Sequence, residues 1–168
     1  DIHGSRRLAV RIGYIRMENE QMMKATSIFI FLVGYGLLTS CSTEPVPIEF
    51  GKDICHFCKM TVMDKKFGAE IVTTKGKIYK FDDMNCFLNF YHSGFEEEGN
   101  IKHKMVIDYA TPGKLIDARD AFFVKSESLR TPMNSEIAAF ESKASMDTFK
   151  KEWSGIYLGW GEVVTQFK

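Results

Sequence analysis

The densest group of chemically active side chains in this 168-residue sequence lies in Cys55-His-Phe-Cys58-Lys-Met60. Two thiolates separated by two residues can reach one metal ion across a tight turn. If the chain extends after Cys58, Met60 points to the same side, because side chains of a strand repeat every two residues. Two thiolates and a thioether make a soft ligand set, which favours Cu(I) over harder ions. The motif therefore predicts a copper site.

Other uses of this cysteine pair fit the sequence less well. A structural zinc site takes four Cys and His ligands, and the sequence has no second C-x-x-C or H-x₃-H pair. A c-type haem needs His at position 59, where Lys stands. A thioredoxin-like pair would begin a helix, which the following Thr-Val-Met-Asp starts poorly. Two alternatives stay open: a structural disulfide between Cys55 and Cys58, and a thiol-disulfide redox pair that would not need Met60 or Met133.

Three further sulfur residues are weaker candidates. Met133 lies in Thr131-Pro-Met-Asn134, a predicted loop where packing gives a methionine little reason to be. Met63 follows Met60 by three residues and is either a reserve ligand, a core residue or an exposed one. Cys86 falls inside a predicted apolar helix, where a buried and inert thiol is the commoner interpretation. No nucleophile–base pair stands out, so the sequence does not predict an enzyme.

The elements that must position these residues form a repeated pattern. In each half, two strands precede a helix and another strand follows it. The predicted elements are strands 68–74, 77–81 and 105–109 with helix 84–92, then strands 121–125 and 161–166 with helix 144–153, and 136–141 as strand or helix. Lys75-Gly76 predicts a hairpin turn, and Asp82 or Asp83 is expected to cap the first helix. A short strand is also predicted over 114–118.

This repeat sets the predicted fold class and domain boundaries. Ile78-Tyr-Lys-Phe81-Asp82 and Ile137-Ala-Ala-Phe140-Glu141 fall at matching places in the two halves. We therefore predict an α+β fold with two related β-β-α-β halves packed as one small domain. The domain is expected to span residues 50–168, with halves of about 50–110 and 111–168.

The N-terminal region is predicted to be a targeting signal. Lys24 precedes a short apolar stretch, and Leu38-Thr-Ser-Cys41 ends it. This arrangement is typical of a secretory signal, and Cys41 resembles the lipidated cysteine of a bacterial lipobox. We expect residues 1–21 to be an over-extended N-terminus, 22–40 a lipoprotein signal peptide, and 41–49 a lipidated cysteine with an extended tether. The residue after the lipidated cysteine is Ser42 and not Asp, which favours attachment to the outer membrane.

The amino-acid composition narrows the classes of protein and partner that fit this sequence. Hydrophobic residues make up 45% and charged residues 26%, which indicates a globular chain. The formal net charge is zero, which argues against a nucleic-acid partner. With Cys41 lipidated, the three remaining thiols cannot all pair within one chain, so at least one stays reactive, liganded or intermolecular.

Taken in order, these motifs resemble the NosL family of nitrous oxide reductase accessory lipoproteins. The resemblance rests on Cys55-x-x-Cys58-x-Met60, Phe81-Asp-Asp-Met-Asn-Cys86, Asp108-Tyr109, Thr131-Pro-Met133 and Ala139-Phe-Glu-Ser142. It covers about residues 50–166. It implies two related β-β-α-β halves, in agreement with the repeat.

The resemblance also implies a function. The chain would bind one Cu(I) ion and deliver it to the copper centres of nitrous oxide reductase. The best-matched ligands are Cys55, Cys58, Met60 and Met133. The domain would face the periplasm from a lipid anchor, and a copper-donating membrane transporter is expected as a further partner. The competing hypothesis from another class is a thiol-disulfide redox lipoprotein that uses Cys55 and Cys58. A third is a structural envelope lipoprotein with one disulfide and no metal.

Overall fold

The computed structural model describes residues 42–166, so the predicted signal peptide and Cys41 lie outside the described residues. The elements are strands β1 (Ala69–Thr73), β2 (Ile78–Phe81), β3 (Ile101–Ile107), β4 (Leu115–Asp117), β5 (Phe122–Lys125), β6 (Ile137–Phe140) and β7 (Ile156–Leu158), with helices α1 (Met84–His92), α2 (Lys143–Glu152) and α3 (Trp160–Gln166). A single 3-10 turn, Glu98–Asn100, precedes β3.

The strands form two antiparallel sheets. The first has the order β2-β1-β3-β4 and the second the order β6-β5-β7. In each half the first strand of the unit is therefore central, with its hairpin partner on one side and the strand after the helix on the other. The predicted α+β fold of two related β-β-α-β halves in one small domain is confirmed.

The hairpin and helix boundaries in the first half agree with the sequence. Gly76 turns the chain between β1 and β2 with φ +78°, a left-handed conformation that glycine adopts without strain. Helix α1 begins at Met84, as predicted, because the extended residue Asp83 caps it and accepts hydrogen bonds from the amides of Asn85 and Cys86.

The prediction of a final strand over 161–166 is wrong. These residues form α3, and the third strand of the second half is Ile156–Leu158. Glu162 starts the helix by accepting a hydrogen bond from the Gly159 amide at 2.7 Å, as in a capping box. Val163 is fully buried and Val164 packs against the core. The two adjacent β-branched residues suggested a strand, but capping and burial outweigh their local preference.

Two apolar clusters fill the interior. The larger combines residues of both halves, among them Cys55, Cys86, Phe123 and Leu158. The smaller lies between the second sheet and α2 and is rich in aromatic rings. The halves also share backbone contacts, since the Tyr109 amide donates to the Ala139 carbonyl at 2.8 Å. The halves therefore share one core.

The expected tether is bound to the first sheet. Residues 42–48 contain no helix or strand. Lys102 pairs with Glu44 at 2.8 Å, and the amide of Val46 donates to the buried carboxylate of Glu70 at 3.0 Å. Ile48 is buried in the core. The anchor predicted at Cys41 would thus sit only a few residues from a bound segment. Across residues 42–166, no helix is both long enough and apolar enough to cross a membrane.

Candidate metal centre

Three cysteines from two separate parts of the first half meet at one place. Cys55 and Cys58 lie in the loop before β1, and Cys86 is the third residue of α1. Their sulfur atoms all lie within 4.8 Å of one another, and all three are free thiols. Cys55 and Cys86 are fully buried, whereas Cys58 is half-buried. The cluster is therefore approached from its Cys58 side.

A tight turn brings Cys55 and Cys58 together. A backbone bridge pairs Ile54 with Thr61, and the Cys55 amide donates to the Met60 carbonyl at 2.8 Å. The Lys59 amide donates back to the Cys55 carbonyl at 3.0 Å. Lys59 itself has φ +65°, a left-handed conformation that is uncommon outside glycine. The turn stays folded because these bonds and the Lys59 side chain, which donates to the His56 carbonyl at 2.6 Å, hold it.

The condition for strand alternation, that the chain extends after Cys58, is not met. The left-handed turn at Lys59 interrupts any strand, so Met60 does not reach the cysteines by strand alternation. Met60 instead lies opposite Cys55 in the short antiparallel pairing, with 54% of its surface exposed. Met60 is therefore an exposed residue whose carbonyl holds the cysteine turn.

The cysteine loop is fixed to the edge of the first sheet. The His56 amide donates to the Lys80 carbonyl at 2.8 Å, and the Lys80 amide donates to His56 Nδ1 at 3.2 Å. The His56 ring packs edge-on against Tyr79. Lys80 also pairs with Asp53 at 2.6 Å. Because β2 leads directly into α1, this anchoring places Cys55 and Cys58 next to Cys86.

The three thiols differ in acidity because they share hydrogen bonds. The Cys86 thiol hydrogen-bonds Cys55 and lowers its pKa, and the backbone amides of Cys58, Asp82 and Phe57 act in the same direction. The pKa of Cys86 is raised because it keeps the shared proton and is buried. Burial also raises the pKa of Cys58. The cluster thus favours one thiolate, at Cys55, and binding of a metal ion would draw the protons from the others.

A buried carboxylate lies beside this thiolate. Asp82 is 3% exposed, and burial, the Cys55 charge and the neighbouring Asp83 together raise the pKa of its side chain to about 6. Negative charge is therefore already crowded at this place. A bound cation would relieve that crowding.

The other predicted sulfur ligands differ in their burial and contacts. Met133 is partly buried and packs against the larger core, which contains Cys55 and Cys86. Its amide donates to the Asp83 carboxylate at 3.0 Å and its carbonyl accepts from Asn85 Nδ2 at 2.8 Å, so its loop lies against the first turn of α1. Met63 is 66% exposed. Cys41 lies outside the described residues.

This ligand chemistry suits a soft monovalent ion. Three thiolates within mutual reach match Cu(I), which accepts low coordination numbers and sulfur ligands. A closed zinc site would need a fourth Cys or His ligand, and among the described residues the cluster of such groups stops at three cysteines. Sequence reasoning gave Cys86 too little weight because its partners lie about thirty residues away along the chain.

Comparisons with known proteins match the chain to a protein family and to a solved structure. Residues 45–167 match the family model of NosL. The structure of the copper chaperone NosL from Shewanella denitrificans aligns with a TM-score of 0.61 and 23% sequence identity, covering 72% of this chain and 96% of that one. That likeness establishes a shared fold. No curated protein matches the chain.

Proposed function

Because the chain belongs to the NosL family, we propose that it is a Cu(I)-binding chaperone that carries one copper ion to an extracytoplasmic copper enzyme. The observation that supports this most directly is the cluster of Cys55, Cys58 and Cys86, with sulfur atoms within 4.8 Å of one another. The related protein from Shewanella denitrificans is described as a copper chaperone. No catalytic turnover is required for this role.

The ligand set we propose extends the cluster with methionine. Cys55, Cys58 and Cys86 supply thiolates, and Met133 and Met60 supply thioethers from the second-half loop and from the exposed turn. Buried Cys55 and Cys86 would hold the ion against water. Half-buried Cys58 and exposed Met60 would give an incoming ligand access to the ion. Because Cu(I) accepts low coordination numbers, these five candidates would not all bind at once, and such a partly open shell permits transfer by ligand exchange, which a fully buried site would resist.

We propose nitrous oxide reductase as the copper acceptor and a membrane copper transporter as the donor, on the basis of the family resemblance. The chain would act at the periplasmic face of a membrane, held by lipid on Cys41. Labelling cells with radioactive palmitate tests the anchor. The wild-type protein should incorporate label and sediment with membranes, whereas Cys41→Ser should do neither. Equal labelling of both proteins would contradict the anchor.

An anaerobic titration tests copper binding. The fully reduced protein is titrated with Cu(I) in competition with a chromophoric chelator. We expect a one-to-one complex that is weakened about tenfold or more by Cys58→Ser and by Cys86→Ser. Met133→Ala should also weaken it, with Met63→Ala as the matched control at an exposed methionine. Absence of binding by the reduced wild-type protein would refute the copper proposal and leave a Cys55–Cys58 redox pair as the best account.

Delivery requires a second experiment. The Cu(I)-loaded protein is mixed anaerobically with copper-free nitrous oxide reductase, and the copper content and activity of the separated reductase are measured. Transfer should be faster from the loaded protein than from the same amount of Cu(I) held by the chelator alone. Binding without transfer would keep the copper site and remove this client.

A further inference from the structure

The carboxylate of Asp83 joins the two halves of the domain beside the cysteine cluster. It is 1% exposed and accepts five hydrogen bonds. Two come from the first turn of α1, from the amides of Asn85 at 2.9 Å and Cys86 at 3.3 Å. The other three come from the loop between β5 and β6, in the second half. Asp83 therefore does more than cap a helix.

The two carboxylate oxygens divide these partners. Oδ1 accepts from the amides of α1. Oδ2 accepts from the Thr131 hydroxyl at 3.0 Å, the Met133 amide at 3.0 Å and the Ser135 amide at 3.3 Å. One side chain thus holds the backbone of a cluster cysteine and the backbone of the loop methionine at the same time. The position of Met133 relative to Cys86 is set through this group together with the bond that Asn85 Nδ2 donates to the Met133 carbonyl at 2.8 Å.

The loop does not take this shape by local preference. Asn134 and Glu136, which flank Ser135, both have φ +58°, a left-handed conformation that asparagine tolerates but that is unfavourable for glutamate. The Glu136 amide donates to Thr131 Oγ1 at 3.2 Å within the loop, and Asp83 accepts three further bonds from the loop, so both sets of bonds offset this strain. Such strain is typically found where the surroundings fix a functional conformation.

We propose that Asp83 is a positioning residue for copper, whose carboxylate places the Met133 thioether at the cysteine cluster. This inference rests on the proposed function, in which Met133 is a ligand. It predicts that Asp83 acts on copper through Met133 and not through the stability of α1. Residues that orient metal ligands typically change metal affinity by about 10- to 100-fold when substituted.

The second half offers a matched control. Ser142 caps α2 at the place that corresponds to Asp83, because each follows the equivalent β2 or β6 strand by two residues. Its hydroxyl accepts from the Ser145 amide at 3.2 Å and bonds the Ser145 hydroxyl at 3.0 Å, within its own helix. Ser142→Ala therefore removes a helix cap without touching the cluster.

Asp83→Asn is the informative variant. The amide oxygen can keep the bonds to Asn85 and Cys86, whereas the NH₂ group cannot accept from Thr131, Met133 or Ser135. We expect three results: faster amide hydrogen exchange at Met133 and Ser135, a loss of Cu(I) affinity close to that of Met133→Ala, and no further loss in the double variant. The milder Thr131→Val removes one donor to Oδ2 and should shift both readouts in the same direction.

The experiment measures Cu(I) affinity by chelator competition and follows ¹³C-labelled methionine methyl signals as Cu(I) is added. The Met133 methyl signal should shift on binding in the wild-type protein and in Ser142→Ala, but much less in Asp83→Asn. Wild-type affinity in Asp83→Asn, or additive losses with Met133→Ala, would overturn the inference while copper binding stands. Absence of Cu(I) binding by the wild-type protein would remove the proposed function, and this inference with it.

Discussion

Replacing Asp83 with alanine should cost far more stability than removing the corresponding cap in the second half. The helix-cap share of the loss is about 1 kcal/mol. The three donors of the 131–135 loop lose a charged acceptor, and bonds of that kind contribute about 1.5–3 kcal/mol each when intact. The actual share is smaller, because the Ser135 bond is long at 3.3 Å and the Thr131 hydroxyl keeps Ser135 Oγ as a partner at 3.2 Å. We therefore expect a loss of about 3–4 kcal/mol for Asp83→Ala.

The control value follows from the same reasoning. Ser142 is exposed and accepts one backbone bond, so Ser142→Ala should cost about 0.5–1 kcal/mol. Urea denaturation of the reduced, copper-free proteins, followed by circular dichroism, gives both unfolding free energies. Equal slopes in urea would show that the same surface is exposed on unfolding. A difference of less than about 1 kcal/mol between the two variants would refute the argument that this carboxylate joins the halves.

Three further outcomes follow from the fold and the exposed methionines. Burial raises the pKa of Glu70, so the folded protein holds that proton more tightly and loses stability as pH rises above the unfolded value of about 4.3. The unfolding free energy of Glu70→Gln should therefore increase relative to that of the wild type between about pH 4 and pH 7. A difference between the two proteins that stays constant with pH in urea titrations would contradict this. Gly155→Ala should lower the melting temperature and cost about 1–3 kcal/mol, because a Cβ there would lie 2.5 Å from a valine methyl, whereas Gly161→Ala, with open space, should be neutral or gain up to about 1 kcal/mol. Met60→Ala and Met63→Ala should leave the unfolding free energy within about 0.5 kcal/mol of wild type, since both side chains are exposed, and Met60→Ala alone should lower Cu(I) affinity in the chelator assay.

Local patterns predicted most of the fold. Alternating apolar residues and Lys75-Gly76 located the first hairpin, and the acidic pair before Met84 located the start of α1. The pattern failed at Val163-Val164, where local β preference pointed to a strand. There the Glu162 cap and burial in the shared core determine the structure. Both depend on the position in the fold at which the preceding strand, β7, ends.

The candidate site was predicted only where its residues are close in sequence. The C-x-x-C spacing indicated that Cys55 and Cys58 meet. That Cys86 joins them could not be derived from the sequence. Its position depends on the hydrogen bonds between His56 and Lys80 at the edge of β2, and on β2 leading directly into α1. The left-handed residue Lys59 was also invisible to an argument from strand alternation, since lysine has no preference for that conformation.

The two halves differ in the segment that joins their first two strands. Both halves have the same strand order, but residues 74–77 join β1 to β2 whereas the much longer segment 126–136 joins β5 to β6. The longer connection reaches the start of α1 in the other half, where it donates three hydrogen bonds to Asp83. Within residues 42–166, the hydroxyl of Ser142 at the corresponding cap bonds Ser145 of its own helix instead. The cysteines thus come from one copy and the covering loop from the other. Replacing Met133 with alanine leaves the rest of segment 126–136 and its buried Leu129 in place, so it should preserve both sheets and the cysteine cluster while removing the thioether, a change that Cu(I) titration and methyl spectra would detect separately from folding.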